Sequence, residues 1–335
     1  MRIHHRKIIN IDLHYMNSNE LINKSEEFDE NSTITDVDGR ILKGIGGFYY
    51  VKTPIGMVTT KGRGNLKRDG ATLYVGDEVK LTILNKNHQS NDKELKGIIE
   101  DVMPRRNYFV RPQVANVDLV AMVVSAIKPK VNLKSLDKFI CVCETKNVDC
   151  IICVNKTEDE KAVATYEQIH SIYKDVYETV AISAKNLIGI DNLRNRFEGM
   201  TVALAGPSGV GKSTIMNALI GRGHMEVGEI SKKTNRGRHT TRHVELIPLD
   251  KNNNSFIFDT PGFTSLELPD IGKYDLRLCF PEIEKMGAKC AFKDCLHIRE
   301  PGCAVLDAVS KGQISSSRYN SYEMFLKDII NKKKY

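Results

Sequence analysis

The sequence predicts a multidomain protein: a small β-barrel, an α/β domain on a parallel sheet, and a short α-helical segment built around a metal. Three observations predict it. Strand and turn signals without helical periodicity fill residues 36–105. From Asn116 the chain alternates strand and helix. Near its end, Cys290, Cys295, His297 and Cys303 crowd together.

The composition allows this division. The chain has 335 residues, and domains typically run to about 100–200. The hydrophobic share of 41% and charged share of 27% are ordinary for a globular protein, so no covalent staples are needed. A net charge of +7 suits a polyanionic partner, although many proteins are this basic without one. Met1 to Asn10 is polar and basic and lacks the roughly 7–15 apolar residues of a signal peptide. The longest apolar run, Leu119 to Ile127, falls short of the ~20 residues of a spanning helix. The expectation is a cytoplasmic protein with no membrane partner, its eight cysteines serving as thiols or metal ligands. No oligomer interface is evident, so a monomer is expected.

Taken in order, residues 1–35 form an N-terminal extension without clear periodicity, partly helical or partly disordered. In 36–105, Phe48–Val51, Met57–Thr60, Val79–Leu84 and Ile98–Val102 read as strands, with turns at Pro54–Gly56 and Val75–Glu78. About five short strands fit an OB-type barrel, which often binds oligonucleotides; a barrel that merely supports its neighbour fits equally.

Residues 112–278 carry the alternating pattern. Strands are expected at Val117–Ser125, Cys150–Val154, Tyr177–Ile182 and Met200–Ala205. Helices are expected at Leu133–Lys146, Glu158–Tyr173, Ile190–Phe197 and Lys212–Leu219. Such alternation means a parallel sheet covered on both faces. Two adjacent strands follow, Val244–Pro248 and Phe256–Phe258.

Between a strand and a helix lies Gly206-Pro207-Ser208-Gly209-Val210-Gly211-Lys212-Ser213, the P-loop pattern in its confirming context. Its glycines let backbone N–H groups curl toward phosphate oxygens, and the next helix adds its positive end. Lys212 neutralises β- and γ-phosphate charge, Ser213 offers a hydroxyl to Mg²⁺, and Thr214 joins the nucleotide contacts. Three other strand ends choose the nucleotide. Asn155-Lys156-Thr157-Glu158 resembles NKxD, whose carboxylate accepts from guanine N1–H and the 2-amino group; here it is a glutamate, one methylene longer. Ser183-Ala184-Lys185 is the SAK loop that covers the base. Asp259-Thr260-Pro261-Gly262 matches DxxG, its Asp holding Mg²⁺ through water and its Gly N–H sensing the γ-phosphate. Together these read as a site for GTP and GDP.

The order is that of a circular permutation: NKxE, SAK, P-loop, DxxG. The loops still meet, because ligands bind at the carboxyl ends of parallel strands whatever their connection. Phe263 follows DxxG where many GTPases place a water-orienting Gln. The segment Gly237-Arg238-His239-Thr240-Thr241-Arg242 lies where switch I belongs. Thr240 or Thr241 should ligate Mg²⁺, and His239 is the candidate to orient water; a structural or RNA-contacting His239 is the other reading.

In 279–335, Cys290, Cys295, His297 and Cys303 offer three thiolates and an imidazole. That set suits one structural, tetrahedral Zn²⁺ with no open position. Cys150 and Cys153 lie on a strand, where i and i+3 face opposite ways; with Cys141, Cys143 and Cys279 they read as small core hydrophobes. Lys285, Lys289, Lys293, Arg299, Lys311 and Arg318, with Tyr319 and Tyr322 interleaved, read as a surface for phosphates and unpaired bases.

With these motifs in hand, the chain resembles the ribosome small-subunit-dependent GTPases A (RsgA, also called YjeQ) from about Asp38 to Tyr322. The shared features are Val75-Gly76-Asp77, Pro104-Arg105-Arg106-Asn107, Arg111-Pro112 with Ala115-Asn116-Val117-Asp118, Gly-Arg-His-Thr-Thr at 237–241, the permuted order, and Cys290 to Cys303 with Glu300-Pro301-Gly302. The resemblance implies an OB barrel, a permuted GTPase domain and a zinc domain. It implies binding to the small (30S) ribosomal subunit and its 16S rRNA near the decoding region, late in assembly, with hydrolysis stimulated by the subunit and timing release. It also implies that His239 is the catalytic histidine. A second class of function stays in view: a non-enzymatic, GTP-sensing RNA-binding protein, which Phe263 favours.

Overall fold

The computed structural model describes residues 33–64, 72–84, 95–226, 244–249, 255–263 and 267–332. His239, Thr240 and Thr241, and residues 1–32 of the extension, lie outside them. The described chain forms two compact units. One holds the residues through Asn116 with 244–247 and 259–261; the other holds the rest from Val117 onward.

The first unit is a closed five-stranded barrel: β1 (Ile34–Ile45), β2 (Phe48–Thr53), β3 (Gly56–Gly62), β4 (Glu78–Leu84) and β5 (Leu95–Val102). Neighbours run β1-β2-β3-β5-β4, and β1 pairs with β4 to close the ring. Alternation sends Val79, Leu81 and Ile83 of β4 inward onto Ile41, Val51, Val58 and Ile99. β1 serves both β2 and β4. A side chain at Gly39 would place Cβ 2.4 Å from Val51 Cγ1 and 2.9 Å from Leu81 Cδ2, so only glycine lets the barrel close there. Behind β4, the fully buried Asp77 accepts from Tyr74 N (2.7 Å), Arg105 Nε (2.7 Å) and Arg105 Nη2 (2.8 Å). A short hairpin, β6 (Tyr108–Phe109) with β7 (Val114–Ala115), leads out of the barrel.

In the second unit, β8 (Leu119–Ser125), β9 (Asp149–Asn155), β10 (Glu178–Ala181), β11 (Thr201–Ala205) and β13 (Phe256–Phe263) lie in the order β10-β9-β8-β11-β13, every pair parallel. β12 (Glu245–Pro248), whose residues 245–247 belong to the first unit, pairs there antiparallel with β1 at Lys43↔Glu245. All seven residues of β8 are buried, as a central parallel strand requires. The helices are α1 (Leu133–Lys146), α2 (Ala162–Tyr173), α3 (Ile190–Arg196) and α4 (Lys212–Glu226). α1 is capped by Asn132, whose side chain accepts from Ser135 N (3.1 Å), and stops at Asn147 in the left-handed region (φ 58°). α2 begins at Ala162, not at Glu158 as the run of good helix formers suggests. Asp159 Oδ1 accepts from Lys161 N (2.9 Å), and this local turn takes those residues out of the helix.

The C-terminal part of this unit is helical: a 3₁₀ turn (Leu276–Cys279), α5 (Pro281–Gly287), α6 (Ala304–Ser310) and α7 (Ser316–Lys332). They pack Leu276, Phe280, Ile283, Val305, Phe325 and Leu326 together. Two residues assigned above to a nucleic-acid surface belong to this interior. Arg318 is 1% exposed; its Nη1 donates to Asp137 Oδ1 on α1 (2.7 Å) and its Nε to Glu282 Oε1 on α5 (2.7 Å). Tyr322, also 1% exposed, donates to Leu296 O (3.2 Å). An arginine so deep needs its charge compensated, and two carboxylates provide that. Cys150 is another departure: it is half-buried, whereas Cys141, Cys143, Cys153 and Cys279 are core. Among the described residues no helix is long and apolar enough to cross a membrane.

Candidate functional site

The P-loop leaves the carboxyl end of β11. Gly206 has φ 137°, and a Cβ there would fall 2.2 Å from Val123 O of β8. Gly211 has φ 101°, and its Cβ would fall 2.3 Å from Asn155 Nδ2. Both positions combine close approach with a conformation that only glycine adopts freely. Lys212 opens α4; its Nζ donates to Gly206 O (2.7 Å) and Pro207 O (2.8 Å), inside the curl of the loop, and burial lowers its pKa. Ser213 and Thr214 follow it, exposed at the start of α4, and Val210 is buried.

The loops after β9 and β10 are tied to the P-loop by Asn155. This buried side chain donates to Val210 O (2.9 Å) and accepts from Ala184 N (3.1 Å). Lys156, at φ 67°, donates through Nζ to Gly209 O (2.7 Å) and also to Lys128 O, just beyond β8. Asn155 and Lys156 therefore hold three loops in one frame. Glu158 is exposed; the Ser183 hydroxyl donates to its carboxylate and lowers its pKa, with Lys185 and Lys156 adding in the same sense. Ser183 Oγ in turn accepts from Asn186 N (3.2 Å), which leaves its proton for Glu158. Thr157 N donates to Ile182 O (3.2 Å). Asp259 and Thr260 continue β13 beyond Phe258, and Gly262 lies in the same strand.

The metal-type cluster lies between α5 and α6. The ligand atoms of Cys290, Cys295, His297 and Cys303 all lie within 4.8 Å of one another. His297 Nδ1 is 3.5 Å from both Cys290 Sγ and Cys303 Sγ, and those sulfurs are 3.9 Å apart. Metal–ligand bonds of about 2.0–2.3 Å in a tetrahedron put donors at about these separations. Burial pushes the Cys295 thiol up to about 12 and lowers the His297 imidazole. Four buried or half-buried donors brought this close, with burial disfavouring the charged forms of Cys295, Cys303 and His297, are what a cation would stabilise. Glu300, to which the sequence reading gave no role, accepts from three backbone amides of this turn.

The barrel offers a separate feature. On its outer face Phe48 is 42% exposed, with Lys61 Nζ 4.6 Å from the ring centroid. Tyr50, Lys52 and Met57 alternate outward on the same strands. Aromatic and basic groups interleaved on a barrel face can stack bases and track phosphates.

The family model described as "RsgA GTPase" matches residues 102–269, and the one described as "RsgA N-terminal domain" matches 38–89. A protein of Clostridium perfringens (strain SM101 / Type A), named small ribosomal subunit biogenesis GTPase RsgA, is 43% identical over 303 residues, covering 89% of this chain and 99% of that protein. The crystal structure of YjeQ from Thermotoga maritima is similar with a TM-score of 0.73 at 30% identity, covering 88% of this chain and 98% of that one. That of YloQ, described as a circularly permuted GTPase, is similar with a TM-score of 0.72 at 30% identity, covering 92% and 99%.

Proposed function

The chain belongs to the RsgA GTPase family, and from that membership we propose that it hydrolyses GTP in the maturation of the small (30S) ribosomal subunit. The observation that carries this is the frame made by Asn155, which ties the P-loop to the SAK loop at the carboxyl ends of parallel strands. In this reading the OB-type barrel spans 36–105, the permuted GTPase domain 112–278 and the zinc domain 279–335.

The residue roles follow from the geometry. Gly206 to Thr214 would cradle the phosphates, with Lys212 Nζ moving from the loop carbonyls to phosphate oxygens. Glu158, braced by Ser183, would accept from guanine N1–H and the 2-amino group; Asn155, Lys156, Thr157, Ala184 and Lys185 complete the base site. Magnesium bound with GTP neutralises developing charge on the transferred phosphoryl group; Ser213, Asp259 and Thr240 or Thr241 would hold it. His239 would orient the attacking water, and Gly262 N–H would report the γ-phosphate. Cys290, Cys295, His297 and Cys303 would hold one structural Zn²⁺. The barrel face around Phe48 and Lys61 supports contact with 16S rRNA near the decoding region. The chain would act as a cytoplasmic monomer, with hydrolysis driving release.

The test is GTP hydrolysis by the full chain, alone and with purified small or large subunits. Marked acceleration by small subunits alone is the expected result, and His239→Ala should remove it while GTP affinity holds. Phe263 keeps one rival in play: if GTP binds and no subunit accelerates turnover, the protein is a GTP-sensing RNA-binding factor.

A further inference from the structure

We propose that Glu300 is the positioning residue of the Cys₃His site, holding the backbone turn that aims His297 Nδ1 at the thiolates; this rests on the zinc reading of the cluster. His297 has φ 60°, a left-handed conformation disfavoured for any residue with a Cβ. Something must hold it there, and Glu300 does so from inside the turn. Its Oε1 accepts from Leu296 N (2.7 Å), and its Oε2 from Ile298 N (2.8 Å) and Arg299 N (2.9 Å). These amides lie on both sides of His297, so one carboxylate closes the chain around it. Successive N–H groups converging on an anion form a nest, whose curvature needs a left-handed residue.

Two carbonyls of the same turn are also bonded. Tyr319 Oη donates to His297 O (2.8 Å) and Tyr322 Oη to Leu296 O (3.2 Å), both from α7. The imidazole packs on Gly287, where a Cβ would lie 3.1 Å from Cε1 and Nε2. Nε2 is buried without a hydrogen-bond partner among the described residues, so the orientation of the ring is not set by a bond at that nitrogen. The backbone turn, with the packing on Gly287, sets it. Glu300 is not itself a ligand: its oxygens are committed to the amides, and it stands outside the cluster of four. Groups that orient metal ligands in this indirect way commonly govern affinity by about 10–100-fold.

Glu300→Gln keeps the volume but replaces one acceptor oxygen with a donor. Either Leu296 N–H or the Ile298 and Arg299 pair then faces an N–H₂ group. The experiment measures zinc affinity of the full chain against a competing chromogenic chelator, with the thermal unfolding of each metal-free protein in parallel. Wild type should bind one zinc, and Glu300→Gln should bind it about 10–100-fold more weakly while metal-free unfolding stays close to wild type. Affinity equal to wild type would overturn the proposal, as would a loss matched by equally lowered metal-free stability. Should that variant fail to fold, Glu300→Asp decides: its shorter carboxylate cannot span both sides of the turn, and undiminished affinity would again overturn it. Wild type binding no zinc would refute the zinc reading itself, a distinct outcome visible before any variant is compared.

Discussion

Replacing Arg318 with Met should destabilise the second unit more than any surface change can. The guanidinium is 1% exposed. Its side chain joins α7 to Asp137, 0% exposed, and to Glu282, 12% exposed, and it stacks 4.5 Å from the Phe280 centroid. Burial works against its charge, but Glu282 and Asp137 more than offset that, raising its pKa well above the ordinary value. Met fills much of the volume and leaves both carboxylates uncompensated. Breaking a buried pair from one side costs about 3–5 kcal/mol. Glu282 reaches some water, and Asp137 Oδ1 keeps a bond from Tyr173 Oη (2.7 Å), so the lower end, about 3 kcal/mol, is expected. At about 2–4 °C per kcal/mol for a unit of this size, the midpoint should fall by about 6–12 °C. Thermal unfolding followed by circular dichroism measures it, with a urea series to check that the slope is unchanged. Replacing Asp137 and Glu282 by apolar residues as well should recover much of the loss. A cost below about 1 kcal/mol, the range of exposed pairs, would refute the reasoning.

Two further outcomes are expected. Gly206→Ala forces a Cβ to within 2.2 Å of Val123 O at φ 137°, so the loop must shift; backbone strain of about 1–3 kcal/mol predicts GTP binding weakened by about 5–150-fold, read with a fluorescent GTP analogue, and unchanged affinity would count against the loop geometry. Phe48→Ala should weaken binding to small subunits in a sedimentation assay by about 5–150-fold, the worth of one stacked base, and should leave hydrolysis without subunits alone; equal binding would remove this face from the interface.

Much of this molecule is legible in its sequence because the P-loop depends on glycines and the loops after β9 and β10 on short runs of fixed side chains, whose spacing is visible in one dimension. The parallel sheet is legible for a related reason: β8 and β9 are short apolar runs bounded by turns. β1 was not visible as a strand. Its pairing slips between Ile34 and Val37 against β4 and between Ile41 and Lys43 against β2, so no strict alternation survives, and Gly39 is there for closure. Arg318 was misread because a cluster of basic residues carries no information about depth. Its partner Asp137 is 181 positions away, and only tertiary packing distinguishes it from Arg299, which is exposed. Glu300 leaves no periodic or ligand-spacing signal, because it acts by accepting from neighbouring amides.

The buried ion pairs also bear on what the permutation does. Because the loops after β9, β10 and β11 all leave the carboxyl ends of one parallel sheet, permuting the chain order leaves their meeting intact. What changes is which part of the chain follows DxxG. Here β13 is succeeded by the segment that leads to the 3₁₀ turn at Leu276. The helical region it enters is bound elsewhere too, through Arg318 on α7 to Asp137 on α1, and α1 follows β8 and the Lys128 carbonyl that Lys156 holds. The helical region is therefore tied by chain to DxxG and by charge to α1. A displacement at DxxG that reaches the helical region would strain a pair whose rupture costs about 3–5 kcal/mol, several times the thermal energy. If GTP and GDP forms differ in amide exchange within 267–275 and agree across α7, the pair acts as the fixed end; exchange that rises in α7 as well would make Arg318 the element that yields.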